Sequence, residues 1–195
     1  MTPGANPEVD GLEKPGYTGA MSDTDWTKTF REIYDLGVKD YTAGKRGASA
    51  LFRPEQVRFL EGIGCTAQEL YDFCEDAVNH QEPDFATCLL ITAARRDYFL
   101  HVQQGKKSGK VVENSTLPAK TDAIDGIEWL PRLIAKARIK LRGELNPDLM
   151  YGCGGDRGFA RKHGIHLADF LRLTWAAGDD DRRLVDFVKS KSGEI

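Results

Sequence analysis

The residues best equipped for chemistry stand in one short run, Tyr151-Gly152-Cys153-Gly154-Gly155-Asp156-Arg157. Three glycines, Gly152, Gly154 and Gly155, lie just ahead of an expected helix and let the backbone approach a ligand closely. A helix start offers unpaired N–H groups and a partial positive charge, which suits a phosphate or a carboxylate. In that setting Cys153 is a candidate nucleophile, Asp156 a candidate acid–base, and Arg157 a fork for a carboxylate. The same run has a plainer reading, with Asp156 as a helix cap, the glycines as a tight turn and Cys153 packed. It is not a Walker loop, because the Gly-Lys-Ser/Thr ending is missing, and it is not a GxGxxG run after a strand.

Other charged groups are weaker candidates. Arg95-Arg96-Asp97 interrupts the most apolar stretch of the chain, FATCLLITAARRDYFLHV. Charges stay in such a helix when they are paired or face a cavity, so Arg95 or Arg96 can line an anion pocket opposite Asp156 or Glu128. An ordinary helix end with both arginines reaching solvent is the alternative. His163 and His166 are separated by Gly164, which breaks the helical pair that a zinc motif needs, and His166 reads better as a helix cap. Asp76 and His80 read as a solvated pair on one helix face. Asp179–Asp181 lacks the spacing of a calcium loop and reads as an acid-rich helix start. No metal and no cofactor is expected.

The elements that must position these groups are helical. Trp26, Phe30, Ile33, Tyr34, Val38 and Tyr41 form one stripe, ending near Gly44. Pro54 opens a short helix over 54–63, and Thr66-Ala67-Gln68-Glu69 is a capping box for the next. The run from Asp84 to about Gln103 is apolar nearly all round and belongs in the middle of the molecule, although its YFLHV end also fits a short strand. GKKSGK, residues 105–110, reads as a flexible basic connector. Beyond it, Ile127, Leu130, Ile134, Ala137 and Leu141 make a second stripe, with Arg132, Lys136, Arg138, Lys140 and Arg142 on the other faces. A short helix containing Phe159, a helix over about 167–177 and a last helix from Asp179–Asp181 complete the chain. Residues 1–24, rich in proline and glycine, read as a disordered tail, and Met21 is an alternative start ahead of the caps Ser22, Thr24 or Asp25.

Shifted by a hundred residues, the hydrophobic pattern matches itself. Phe30, Ile33, Tyr34, Gly37 and Tyr41 fall on Leu130, Leu133, Ile134, Ala137 and Leu141, while Phe59, Gly64, Leu70 and Phe73 fall on Phe159, Gly164, Phe170 and Leu173. One helical unit is therefore written twice, over 25–104 and 123–195, joined by a linker at 105–122. The expected fold is all-α, a tandem pair packed as one pseudo-symmetric globule with both Phe59 and Phe159 buried. The first copy has Ala48-Ser49-Ala50-Leu51-Phe52 where the second has its glycines, so the copies differ at the candidate site.

The second copy also resembles a known bacterial family, domain of unknown function 5069. The likeness rests on LPAKTDAIDGIEWLPRLIAKARIKLRGEL, DRGFARKHGIHLADFL and AGDDDRRLVDFV, within about residues 117–190. Asp156-Arg157-Gly158-Phe159 stands where the family has an Asp-Gln-Arg-Phe-like segment, and the first copy has Gln56-Val57-Arg58-Phe59 there. The resemblance implies a tandem of two such domains and implies no activity.

Composition narrows the function classes. The net charge of −3 disfavours a nucleic-acid binder, which should be basic. Charge is uneven: residues 1–115 hold 13 Lys+Arg against 18 Asp+Glu, and residues 116–195 hold 14 against 12. No run is long and apolar enough for a membrane span, and the start lacks a signal-peptide pattern. Four cysteines without framework spacing suggest reduced thiols in a cytoplasm. The leading expectation is a cytoplasmic protein that binds or transforms a small carboxylate or phosphate between the two units. The alternative is a non-enzymatic interaction module that offers the basic helix 127–142 to an acidic protein partner, or a homo-oligomer.

Overall fold

A computed structural model describes residues 25–193. The proposed tail at 1–24, with Met21, Ser22 and Thr24, lies outside the described residues. The fold is all-α. In chain order the helices are α1 (Asp25–Thr42), α2 (Ala48–Leu51), α3 (Pro54–Gly62), α4 (Ala67–His80), α5 (Phe85–Asp97), α6 (Leu130–Arg142), α7 (Gly154–Lys162), α8 (Leu167–Ala177) and α9 (Asp181–Ser192).

The stripes read from the sequence are the buried faces. Trp26, Phe30, Ile33, Tyr34 and Tyr41 of α1 are buried, as are Leu130, Leu133, Ile134, Ala137 and Leu141 of α6. Burial of each such large apolar side chain favours the folded state by about 2 kcal/mol, so the two stripes are the main organisers of the core. α1 packs on α4, and α6 packs on α8 in the same way. Helix starts follow the chemistry of their caps. Thr66 accepts from the Glu69 backbone N–H (3.1 Å) while Glu69 accepts from the Thr66 N–H (2.9 Å), Asp84 accepts from the Thr87 N–H, and Asp180 accepts from the N–H groups of Arg182 and Arg183. His166 takes the position of Thr66 and accepts from the Ala168 N–H.

α3 and α7 span the same positions a hundred residues apart and end alike. Ile63, Gly64 and Cys65 donate to the carbonyls of Phe59, Glu61 and Leu60, and His163, Gly164 and Ile165 donate to those of Phe159, Arg161 and Ala160. Both helices stop at a glycine of positive φ, 71° at Gly64 and 61° at Gly164, where a side chain would be strained. Between the segments 25–104 and 123–193, the first and second units of the sequence pattern, the packing is one-sided. α5 lies against α1 of its own unit and against α6 and α8 of the other, whereas α9 packs on α6 and α8, and no packing of comparable extent joins it to α4.

Several expectations need correction. Phe59 is only half-buried, whereas Phe159 is buried, because Leu60 rather than Phe59 fills the core in the first unit. The YFLHV segment is neither α-helix nor strand: Tyr98–Val102 is a π-helix that continues α5. α6 begins at Leu130, and the preceding residues form a small antiparallel hairpin, β1 (Ala123–Ile124) with β2 (Ile127–Glu128), turned by Asp125 and Gly126 at positive φ. The 105–122 connector is a strap laid along the end of α6. Ser108 Oγ donates to Glu144, Val112 N–H donates to the Glu144 carbonyl, and Arg132 donates to the Pro118 carbonyl and to Asn114.

Candidate functional site

The glycine run is the turn between α6 and α7, and its centre is a buried polar cluster. Asp156, in the first turn of α7, has no exposed surface. Its carboxylate accepts from Lys136 Nζ (2.5 Å), Trp129 Nε1 (3.0 Å) and the Gly152 N–H (2.9 Å). Lys136 is 1% exposed and projects inward from α6, with its Nζ 3.3 Å from Cys153 Sγ. Tyr151 is buried beside them and donates to the Leu167 carbonyl; burial and the charge of Asp156 hold its hydroxyl well above the usual phenol range.

This arrangement revises the roles expected of the loop. Asp156 is fully engaged by three donors and out of reach of solvent, so it fixes the turn and is not a free acid–base. Gly152 has φ +92° and its Cβ side faces Ile91, Leu167 and Phe73, while the Cβ side of Gly155 is taken by the indole of Trp129. These two glycines admit packing partners rather than a ligand. Gly154 stays exposed, and Cys153 is half-buried at the N-cap of α7 with the Lys136 ammonium beside it.

Arg95 and Arg96 do not join this loop. Arg95 is buried and donates to the Leu141 carbonyl (2.9 Å) and to Gln103, closing the end of α6, with its guanidinium against the Cβ side of Gly143. Arg96 lies over the ring of Trp26. The basic face of α6 is likewise reduced, because Lys136 and Lys140 point inward. Lys140 pairs with Glu69 across the unit boundary at 2.6 Å. Burial by itself would raise the Glu69 carboxyl, but the charge and hydrogen bond of Lys140, with the Thr66 N–H, hold it below the usual range. Of the remaining three, Arg132 serves the strap, Arg138 binds the Gly178 carbonyl and Asp181, and Arg142 binds Glu144.

Arg157 is the residue of the run that reaches a cleft. It donates to Asp76 of α4 (2.7 Å), to the Gly152 carbonyl (2.7 Å) and to Glu82 (3.2 Å). Asp76, expected on a solvated face with His80, is instead the first unit's anchor for this arginine. One turn on, Arg161 grips both oxygens of Glu82 at 2.8 and 2.7 Å. The Arg161 hydrogen bond, ahead of the two arginine charges, holds the Glu82 carboxyl below its usual range. The cleft, about 390 Å³, runs between residues 81–87 of the first unit and the α7–α8 corner of the second, lined by Arg157, Arg161, His166, Thr87 and the acids Glu82 and Asp84. It was not legible locally, because its two walls are some eighty residues apart in sequence.

His163 stacks on Phe159 and meets Ser192 at 2.8 Å, and His166 is occupied as the cap of α8. Among the described residues no group of three His, Cys, Asp or Glu side chains converges as a metal site, and no helix is long and apolar enough to cross a membrane. No family model, curated protein or solved structure matches the chain.

Proposed function

We propose that the protein binds a small carboxylate- or phosphate-bearing molecule in the cleft between the two units, with Arg157 and Arg161 as its anion-holding groups. One observation carries the reading: two arginines one helical turn apart converge on a single half-exposed carboxylate, Glu82, at the cleft. A guanidinium pair aimed at one point defines an anion position, and bidentate geometry favours planar oxyanions. Glu82 fills that position as an internal stand-in, and its partial exposure lets it swing to water when a ligand carboxylate displaces it. Cys153 does not line the cleft, so the reading is of binding, and any covalent chemistry at Cys153 is a separate activity assisted by Lys136.

The matched ends of α3 and α7 support a tandem of two domains of the kind seen in domain of unknown function 5069. Four unpaired cysteines, Cys65, Cys74, Cys88 and Cys153, support a cytoplasmic setting.

Isothermal titration with succinate and with inorganic phosphate at low ionic strength tests the site. Arg161→Ala should weaken binding by about tenfold or more, the loss of a charge-assisted fork, and Glu82→Gln should tighten it by removing the internal competitor. The proposal fails if neither anion binds Glu82→Gln at millimolar concentration, or if Arg161→Ala binds as well as the parent.

A further inference from the structure

We infer that a groove on the first unit, between α1 and α3, is a binding site for a flat aromatic group that carries a positive charge, of the arylethylammonium class. It lies apart from the anion cleft and draws on none of its residues.

The two units show what belongs in the groove. In the second unit the space between α6 and α7 is closed by three side chains. The indole of Trp129 lies against the Cβ side of Gly155, its Nε1 donates to Asp156, and Lys136 reaches across from α6 to the same carboxylate. The equivalent helices of the first unit present the same buried faces, Phe30 and Ile33 matching Leu130 and Leu133, and α3 ends with the hydrogen bonds of α7. At the positions that close the second unit the first has different residues. Thr29 stands for Trp129, Leu36 for Lys136, Glu55 for Gly155 and Gln56 for Asp156. A groove of about 360 Å³ lies between these side chains, within the range of small-molecule sites.

Its chemistry is equally specific. Ile33, Leu36 and Phe59 form an apolar floor, and Phe59 is half-buried because no described residue covers this face of the first unit. Glu32 from α1 and Glu55 from α3 stand exposed on the two sides, and among the described residues the lining includes two carboxylates and no base. An aromatic ring set against Phe59 would bury apolar area in an offset or edge-on arrangement. The paired acids then select a ring that bears an ammonium over one that bears a carboxylate. The occupant therefore resembles the side chain that fills the second unit, with a cation added.

Tryptamine titrated calorimetrically into the full chain is the probe, with indole-3-acetate as the ring of opposite charge. Tryptamine should bind with a dissociation constant below a millimolar, and indole-3-acetate should bind about tenfold more weakly or worse. Thr29→Trp, which sets an indole on the groove wall from inside α1, should abolish tryptamine binding by filling the groove. The double variant Glu32→Gln/Glu55→Gln, confined to exposed positions, should bring the two ligands to equal affinity. Arg161→Ala should leave tryptamine binding unchanged, which separates this site from the anion cleft. The inference is overturned if tryptamine shows no heat at millimolar concentration, if both ligands bind the parent equally, or if the double Gln variant keeps the preference. Should Thr29→Trp fail to fold, the double Gln variant alone decides.

Discussion

The buried pair Lys136–Asp156 is the most exacting test of the second unit. The two side chains are 1% and 0% exposed. Lys136→Met leaves a buried carboxylate with two N–H donors and no counter-charge. Asp156→Asn leaves a buried ammonium with no counter-charge, facing only a neutral amide oxygen and the Cys153 sulfur. Breaking a buried pair from one side costs about 3–5 kcal/mol, so independent losses would sum to about 6–10 kcal/mol. The double variant removes both charges and leaves one unmatched donor, from Trp129 or Gly152, at about 1–3 kcal/mol. The double should therefore be more stable than either single, with a coupling of at least about 3 kcal/mol. Urea unfolding followed by tryptophan fluorescence and circular dichroism measures all three, and an unchanged m-value shows that the same structure is being compared. Because domains of this size are stable by only about 5–15 kcal/mol, each single should shift the midpoint plainly. If the single effects add in the double to within about 0.5 kcal/mol, the two groups are not a mutually dependent pair and the account of the turn is wrong.

Three further outcomes follow from the same packing. Cys65, Cys74 and Cys88 are buried, with their thiols pushed up by burial, to about 12 for Cys74, whereas Cys153 is half-exposed beside an ammonium. Ellman's reagent should therefore modify one thiol in the native protein, and Cys153→Ser should remove that fast phase; two fast thiols would contradict the closed core. Gly155→Ala drives a methyl into the Trp129 indole and should destabilise by about 1–3 kcal/mol with a red shift in tryptophan emission. Asp72 is raised from 3.8 to about 6 by burial, reinforced by Glu69, Glu75 and Asp76, despite the Gln68 hydrogen bond. Its folded form holds the proton more tightly than its unfolded form, so its contribution to stability falls as pH rises from about 4 to 6. Asp72→Asn should match the parent below about pH 4 and exceed it by about 1–2 kcal/mol above pH 6, after discounting for partial exposure. Equal stability of the two at pH 7 would refute that assignment.

Much of this was legible in the sequence, and the losses have identifiable causes. The stripes of α1 and α6, the capping box at Thr66 and the matching glycines at 64 and 164 are local signals, and each appears where its spacing placed it. The two inward lysines were not legible, because helical spacing assigns a charge to solvent unless its partner is known. Those partners, Asp156 and Glu69, come from α7 and from the other unit. A signal did exist in the uneven charge of the two halves. Acids of the first, Glu69, Asp76 and Glu82, meet bases of the second, Lys140, Arg157 and Arg161. The Asp125-Gly126 turn between Ile124 and Ile127 was likewise in view, but strands of two residues are too short to show alternation. The π-helix at Tyr98–Val102 has no comparable local marker.

The one-sided seating of α5 makes the halves unequal partners. Severing the backbone between Lys106 and Lys107 would break covalent continuity at an exposed point, while the Lys140–Glu69 and Arg157–Asp76 links and the α5–α8 contact still join the pieces. Co-expressed fragments should thus reassemble into the native fold. The earlier fragment, made alone, would present the apolar α5 to water and aggregate, whereas in the later one α9 still covers one side of α6 and α8 while their α5-facing side is bared.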